Sequence, residues 1–313
     1  MLAKTIRRVI LVIPTIILIS LLAFTLLYFS PGDTAMLILK ERTNVATLTA
    51  EDAQEFEESK GLNAGYLALY CSWFGGVLKG DLGTSYVDGQ NINLKITAAM
   101  SKALKMSLIA WVVYILTGTA AGMLAAIYHN SIFDKITKYW SVMSTAIPVF
   151  WIGLFTVWLF SVKFSVLTTV GKRSDFSLIF PGILMGFIYT GNLIIIVKEK
   201  TKLVLEEGFV LSARALGVKK SVILRSHVLR NILAPVIAAS TLAFSDFIGA
   251  SVLMDNIFSI SGFGALLTDA IRVKDYMIVA SATLILGVLV CTVNMFADIT
   301  YRFIDRRAEV NES

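Results

Sequence analysis

The sequence predicts an all-α, polytopic membrane protein with six transmembrane helices, both termini cytoplasmic, and an external region between helices one and two. Three observations carry that expectation: a charge-poor composition, six apolar runs of spanning length, and an uneven placement of Lys and Arg. Of 313 residues, 56% are hydrophobic and only 16% charged, and mean hydropathy is +0.75. A soluble domain averages about 45–50% apolar and about 25% charged residues. The composition therefore excludes an ordinary soluble enzyme and a disordered chain. Two cysteines, Cys71 and Cys291, do not make a disulfide framework. Two histidines, His129 and His227, leave little room for a His-based metal site, so no metal and no catalytic residue is expected.

The apolar runs are Val9–Phe29, Met106–Tyr128, Tyr139–Val162, Phe176–Val197, Asn231–Met254 and Tyr276–Ala297, each 21 to 24 residues long. At about 1.5 Å rise per residue, roughly 20 residues cross a hydrocarbon core of about 30 Å. Five runs contain no charged residue, and the fifth in order contains one, Asp246. Pro14, Pro148 and Pro181 fall inside runs, where neighbouring helices can satisfy the freed carbonyls. The first run is too long for a signal-peptide core of about 7–15 residues and is expected to be retained as a helix.

Orientation follows from the basic side chains. With the N-terminus inside, segments 1–8, 129–138, 198–230 and 298–313 carry 16 Lys and Arg, and the short outer loops 163–175 and 255–275 carry 5. The expected organisation is an N-terminus and first helix over 1–29 and an external region over 30–105. A five-helix core over 106–300 contains the cytoplasmic loop 198–230, and a tail over 301–313 ends the chain. In the external region Thr49-Ala50-Glu51-Asp52 reads as a helix start, with Thr49 as cap and acids in the first turn. Gly75, Gly76, Gly80 and Gly83 read as a turn-rich stretch. The Gly75–Gly80 spacing is that of a phosphate-binding loop, but Asp81-Leu82 stands where Lys-Ser/Thr is required, so it is read as a turn.

The most informative segment is Glu206 to Lys220. Glu206 and Glu207 sit where a helix start favours negative charge. Phe209, Ala213, Leu216 and Lys220 recur at helical spacing, and Gly217 suits a left-handed helix end. Ser221 is expected to cap a second helix running through His227 to Asn231. Ala213 and Ala215, being small, would let a partner surface approach closely.

Ser212-Ala213-Arg214-Ala215-Leu216-Gly217 followed by His227-Val228-Leu229-Arg230-Asn231 resembles the EAA loop of ATP-binding-cassette importer permeases of the dipeptide/oligopeptide/nickel type. Further marks of that family follow in order: Arg7-Arg8, Pro31-Gly32-Asp33, Gly80-Asp81-Leu82-Gly83-Thr84-Ser85, Ile257-Phe258-Ser259, Gly262-Phe263-Gly264, Asp275-Tyr276 and Asp305-Arg306-Arg307. The resemblance covers essentially the whole chain. The sequence departs from the pattern at Leu216, where Lys is common, at Ser261 and Arg306, where Pro is usual, and at Asp255, where Glu is more common.

The resemblance implies a non-catalytic permease subunit in the bacterial cytoplasmic membrane, moving peptides or nickel and other metal chelates. It implies coupling to a separate ATPase through Glu207, Phe209, Ala213, Arg214, Ala215, Leu216 and Gly217. ATP and Mg would be used by that partner, with no cofactor bound to this chain. A second homologous permease subunit and an external substrate-binding protein are the other implied partners, and nucleic acid is not one.

Asp246 is read from burial cost alone. A carboxylate near the centre of a span costs roughly 2.5–3.5 kcal/mol even on the milder scales. It is expected to line a water-filled path, where it would favour cationic groups, or to bond a neighbouring subunit or polar group. The alternative function is a self-contained secondary transporter or channel, which would usually carry several ionisable residues within spans. An intramembrane hydrolase would need a nucleophile and base there, and the runs hold neither. His227 and Cys291 are read as packing residues, Trp111, Trp140, Trp151 and Trp158 as packing and interface anchors, and Gly118 with Gly122 as a close helix contact.

Overall fold

Residues 2–43, 48–163 and 176–304 are described by the computed structural model. Among them the chain is helical throughout, with a single isolated antiparallel bridge between Thr84 and Asn91. The loop expected at 163–175 and the tail mark Asp305-Arg306-Arg307 lie almost wholly outside the described residues. Two compact units emerge: residues 1–102 with 261–292, and residues 103–260 with 293–313.

The first unit holds α1 (Leu2–Tyr28), α2 (Thr34–Thr43), α3 (Ala50–Lys60), α4 (Tyr66–Val77), the start of α5 (Ile92–Ile127), α13 (Phe263–Arg272) and most of α14 (Tyr276–Ile304). Thr49 caps α3 as expected. Its hydroxyl accepts from the Asp52 N–H at 3.2 Å, and its own N–H donates to Asp52 Oδ2 at 2.8 Å. The core of the unit is aromatic. Phe24, 1% exposed, meets the rings of Tyr70, Tyr66, Trp73 and Tyr276 at 5.6 to 6.3 Å. Trp73 Nε1 donates to Ser281 Oγ at 3.1 Å, which keeps the buried indole satisfied.

The short sequence marks of the external region are clasps. Asp33 caps α2 through the Met36 N–H at 2.9 Å. Lys274 adopts φ +58°, a left-handed conformation that costs a side-chain-bearing residue about 1–3 kcal/mol. Its buried Nζ holds that geometry by donating to Ser30 O at 2.6 Å and Gly32 O at 2.9 Å. The adjacent Asp275, fully buried, accepts from Ser85 Oγ at 2.6 Å and from the Tyr86 N–H at 3.1 Å. Burial pushes the Asp275 carboxyl upward more than these donors pull it down. Burial and the Asp275 charge also push the Tyr86 phenol up to about 12. Gly80 and Gly83 turn the chain at φ +81° and +85°, whereas Gly75 and Gly76, expected in the same turn, belong to α4. A Cβ on Gly76 would lie 2.9 Å from Asp81 O, so glycine lets the chain double back onto the helix end.

The second unit contains the rest of α5, then α6 (Ile132–Ala146), α7 (Val149–Val157), α8 (Phe176–Ile188), α9 (Thr190–Glu206), α10 (Gly208–Ala215), α11 (Lys220–Ile223) and α12 (Leu229–Ile257). The third apolar run, expected as one span, is broken: α6 and α7 meet at 100°. Pro148 is the cause. It disfavours helix at the preceding residue, and Ile147 is extended at φ −94°, ψ 123°. The fourth run bends by 45° between α8 and α9. Among the described residues, three helices are long and apolar enough to cross a membrane alone, and up to five if each bent pair is one span; Ile13–Tyr28 is a shorter apolar helix.

Glycine brings α5 against α8 and α9. A Cβ on Gly118 would lie 2.8 Å from Leu193, and one on Gly122 would lie 2.7 Å from Val197. The expected close contact is therefore present. Gly182 and Gly186 on α8 form a second such pair: a Cβ on Gly186 would collide with the Ala110 carbonyl oxygen and lie 2.9 Å from Ala110 Cα and Val113 Cβ. Trp111 Nε1 donates to Ser240 O at 2.8 Å and Trp140 Nε1 to Thr190 Oγ1 at 2.9 Å, while Trp151 and Trp158 are exposed.

Gly186→Ala is expected to lower the stability of the full chain in detergent by about 1–3 kcal/mol, because the contact is backbone and cannot give way. A Cβ on Gly249 meets nothing within 4 Å, so Gly249→Ala is expected to be neutral or to stabilise by up to about 1 kcal/mol. Thermal unfolding of the purified variants separates the two.

Candidate functional site

The segment singled out by sequence folds as a short helix, a reversal and a second helix. Glu206 ends α9 and Glu207 is the N-cap of α10, with extended backbone and no side-chain capping bond. Glu207 O accepts from the N–H of Val210 at 3.0 Å and of Leu211 at 3.1 Å. The other end closes on Gly217, at φ +76°. The Val218 N–H donates to Ala213 O at 3.1 Å and the Gly217 N–H to Arg214 O at 3.0 Å, the paired bonds of a Schellman end. The N-cap of the next helix is Lys219, two residues before the expected cap Ser221, and no side chain caps it. It passes through a π-helical segment, Leu224–Val228, into α12. Pro235 lies inside α12.

The two faces of α10 differ in character. Val210, fully buried, and Ala213 pack into a cluster with Val204, Ile223, Leu224 and Val228. Ala213, partly buried, packs against this chain's own core, since Val210 and Ala213, three apart, share one helical face. Outward stand Glu207, Arg214, Ala215 and Gly217. Phe209 is exposed, with its ring 5.5 Å from that of His227. Leu216 is 83% exposed, extreme for a leucine. A helix closed at its C-terminal end and rooted by its inner face thus displays apolar side chains on its outer one.

Asp246 lies exposed on α12. Leu242 and Leu253, one and two turns away, are also exposed. Tyr114 and Tyr189, whose rings meet Phe247 at 5.6 and 5.2 Å, stand within electrostatic reach of its carboxylate. Among the described residues it makes no hydrogen bond, so the expected bond to Ser245 or a similar polar group of this chain is not formed. Ser245 itself is buried. No group of three His, Cys, Asp or Glu side chains among the described residues is placed to hold a metal ion.

One polar node escaped the sequence reading. Asp134, on α6 and outside the apolar run Tyr139–Val162, is buried and ion-paired with Lys198 of α9. It also accepts from the Asn130 N–H at 3.1 Å and meets His129 Nδ1 at 3.0 Å. Burial pushes the Asp134 carboxyl up, but the bonds from Lys198, Asn130 and His129 outweigh it and hold the group at about 2. The signal was present as Ser131-x-x-Asp134: Ser131 Oγ accepts from the Asp134 N–H at 3.2 Å and starts α6.

Among the described residues, helices long and apolar enough to cross a bilayer define a polytopic membrane protein. Comparison with known proteins names the group. The chain belongs to the family of binding-protein-dependent transport system inner membrane components, whose model matches residues 118–310. It is 31% identical to the oligopeptide transport system permease protein of Bacillus subtilis, over 99% of this chain and 100% of that one. It is 27% identical to the dipeptide transport system permease protein of Alkalihalophilus pseudofirmus, over 98% and 99%. It is 28% identical to the glutathione transport system permease protein of Shigella flexneri, over 97% and 98%. The chain is a multi-pass permease of the bacterial inner membrane.

Because the carboxyl of Asp134 is held at about 2, below its ordinary value of about 3.9, its pairing stabilises the fold above roughly pH 4 and is lost as pH falls towards 2. Asp134→Asn is expected to cost on the order of 3 kcal/mol at neutral pH. The gap between variant and native chain, followed by thermal unfolding, should narrow as pH drops below about 4.

Proposed function

We propose that the chain is one membrane-spanning subunit of an ATP-driven importer of peptides. A separate ATPase grips the α10 elbow, burns ATP with Mg, and this chain binds no cofactor of its own. The observation that carries the proposal is the outer face of α10. Phe209 and Leu216 are apolar and exposed on a helix whose inner face and C-terminal end are fixed, so force applied there is passed on and not absorbed. Exposed apolar anchors of this kind are what a partner pocket buries. Glu207, Arg214 and Ala215 form the surround, Ala213 roots the helix, and Gly217 sets its end.

The proposed topology has six crossings: α1, α5, the broken pair α6–α7, the bent pair α8–α9, α12 and α14. Its support is the apolar length of each element together with the basic residues at 198–230. Both termini and the tail 301–313 then face the cytoplasm, residues 30–105 lie outside, and 106–300 form the core. A second, related permease subunit completes the path, and Asp246 lines it, exposed on this chain because its surroundings come from that subunit. An external binding protein delivers cargo. Peptide cargo is preferred over nickel or other chelates because the relatives named above are called oligopeptide, dipeptide and glutathione permeases.

Leu216→Asp tests the coupling surface. At 83% exposure the side chain adds little to the fold, so insertion and melting temperature should be unchanged. ATP-driven peptide uptake by the whole complex in proteoliposomes is expected to fall about tenfold or more. Full uptake by Leu216→Asp and Phe209→Asp would contradict the docking assignment.

A further inference from the structure

Beside the Asp134 node, α6 and α9 leave a cavity of about 360 Å³ that the coupling role does not use. Its polar wall is built from Lys138, Lys198, Lys202 and Glu199, with Thr137 and Ser141 at the back. Lys198 is neutralised by Asp134. Lys202 Nζ is held 3.3 Å from His129 Nε2, whose other ring nitrogen faces Asp134. Lys138 makes no hydrogen bond or ion pair among the described residues. With Lys198 cancelled, Lys138 and Lys202 stand against Glu199, which leaves one uncompensated positive charge. Thr137 and Ser141 direct their hydroxyl protons to the main-chain oxygens of Asp134 and Thr137, at 2.9 and 2.8 Å. Their own oxygens therefore remain as acceptors.

The remaining wall is apolar. Val142, 60% exposed, and Ile195 line the cavity. Tyr139 and Met143 continue an exposed apolar face along α6. One net positive charge, free ammonium donors, hydroxyl acceptors and an adjoining greasy helix face form a combined pattern. It matches a phosphodiester with a hydroxylated headgroup and attached acyl chains, where a soluble anion would leave the apolar part uncovered.

We propose that this cavity binds the headgroup of an anionic phospholipid of the phosphatidylglycerol type. Lys138 and Lys202 take the phosphodiester, headgroup hydroxyls donate to Thr137 and Ser141, and the acyl chains lie along Val142 and the α6 face. The Asp134–Lys198 pair ties the two helices together beside the site. The site rests on the topology proposed above in one respect: residues 129–138 and 198–202 lie at the membrane edge. Lysines at such an edge are attracted to anionic lipid, and basic pockets between membrane helices are known headgroup sites.

The test is lipid retention by the purified permease–ATPase complex, measured by native mass spectrometry after release from nanodiscs holding equal phosphatidylglycerol, phosphatidylethanolamine and phosphatidylcholine. The native complex is expected to retain phosphatidylglycerol preferentially. Lys138→Gln/Lys202→Gln should lose that preference about tenfold, Lys138→Arg/Lys202→Arg should keep it, and Lys200→Gln, whose exposed side chain is outside the cavity, should not change it. Equal retention of the three lipids by the native complex, an unaffected Gln/Gln variant, an equal loss in Lys200→Gln, or displacement of the lipid by millimolar inorganic phosphate would each overturn the site. The headgroup comparison on the native complex needs no variant to fold. Retention is read without ATP or transport, so failed uptake with intact lipid preference counts against the importer proposal alone.

Discussion

Inside a bilayer no water is at hand to satisfy main-chain N–H and C=O groups, and apolar side chains gain little by meeting each other instead of lipid. Helices satisfy the first condition, and close backbone approach supplies the association that burial cannot. In the second unit four glycines provide it: Gly118 and Gly122 seat Leu193 and Val197 of α9, and Gly182 with Gly186 lets α8 touch the Ala110 main chain of α5. The consequence reaches α10. The last turns of α9 end at Glu206, and α10 begins two residues later with Val210 and Ala213 set in the same core. α10 thus shares its core with the glycine-packed helices.

The short marks spread along the chain owe their form to geometry. Asp33 caps a helix, Gly32 O receives the buried Lys274 ammonium, and Asp275 gathers Ser85 and Tyr86. Asp81 Oδ1 accepts from the Gly83 N–H at 2.9 Å, closing an Asx turn. These residues lie far apart in sequence yet hold one another in a single unit. A family pattern of this kind records which main-chain atoms must be met. It carries little about cargo, which is why substrate class rests on the relatives and not on these residues.

Much of this was legible in the sequence because hydrophobic run length and helix-end chemistry are local. The apolar runs located the long helices, Thr49 announced α3, and Gly217 announced the end of α10. What was missed depends on the third dimension. Pro148 reads as tolerable inside a span, yet the restriction it places on Ile147 breaks the helix by 100°. A small residue such as Ala213 suits both a partner and a core, and its packing beside Val210 depends on the fold. Gly182 and Gly186 carry the same four-residue spacing as Gly118 and Gly122 and were readable on the same grounds. The ion pair of Asp134 with Lys198 was not readable, since its members lie 64 positions apart, from 134 to 198.

The claim on which the account turns is that the work stroke is delivered from outside this chain. Peptide accumulation in proteoliposomes measures it directly, comparing vesicles that hold only the permease subunits with vesicles that also hold the ATPase, binding protein and ATP. The account predicts uphill accumulation only in the complete set. Uphill accumulation by the permease subunits alone, driven by an ion gradient, would contradict it.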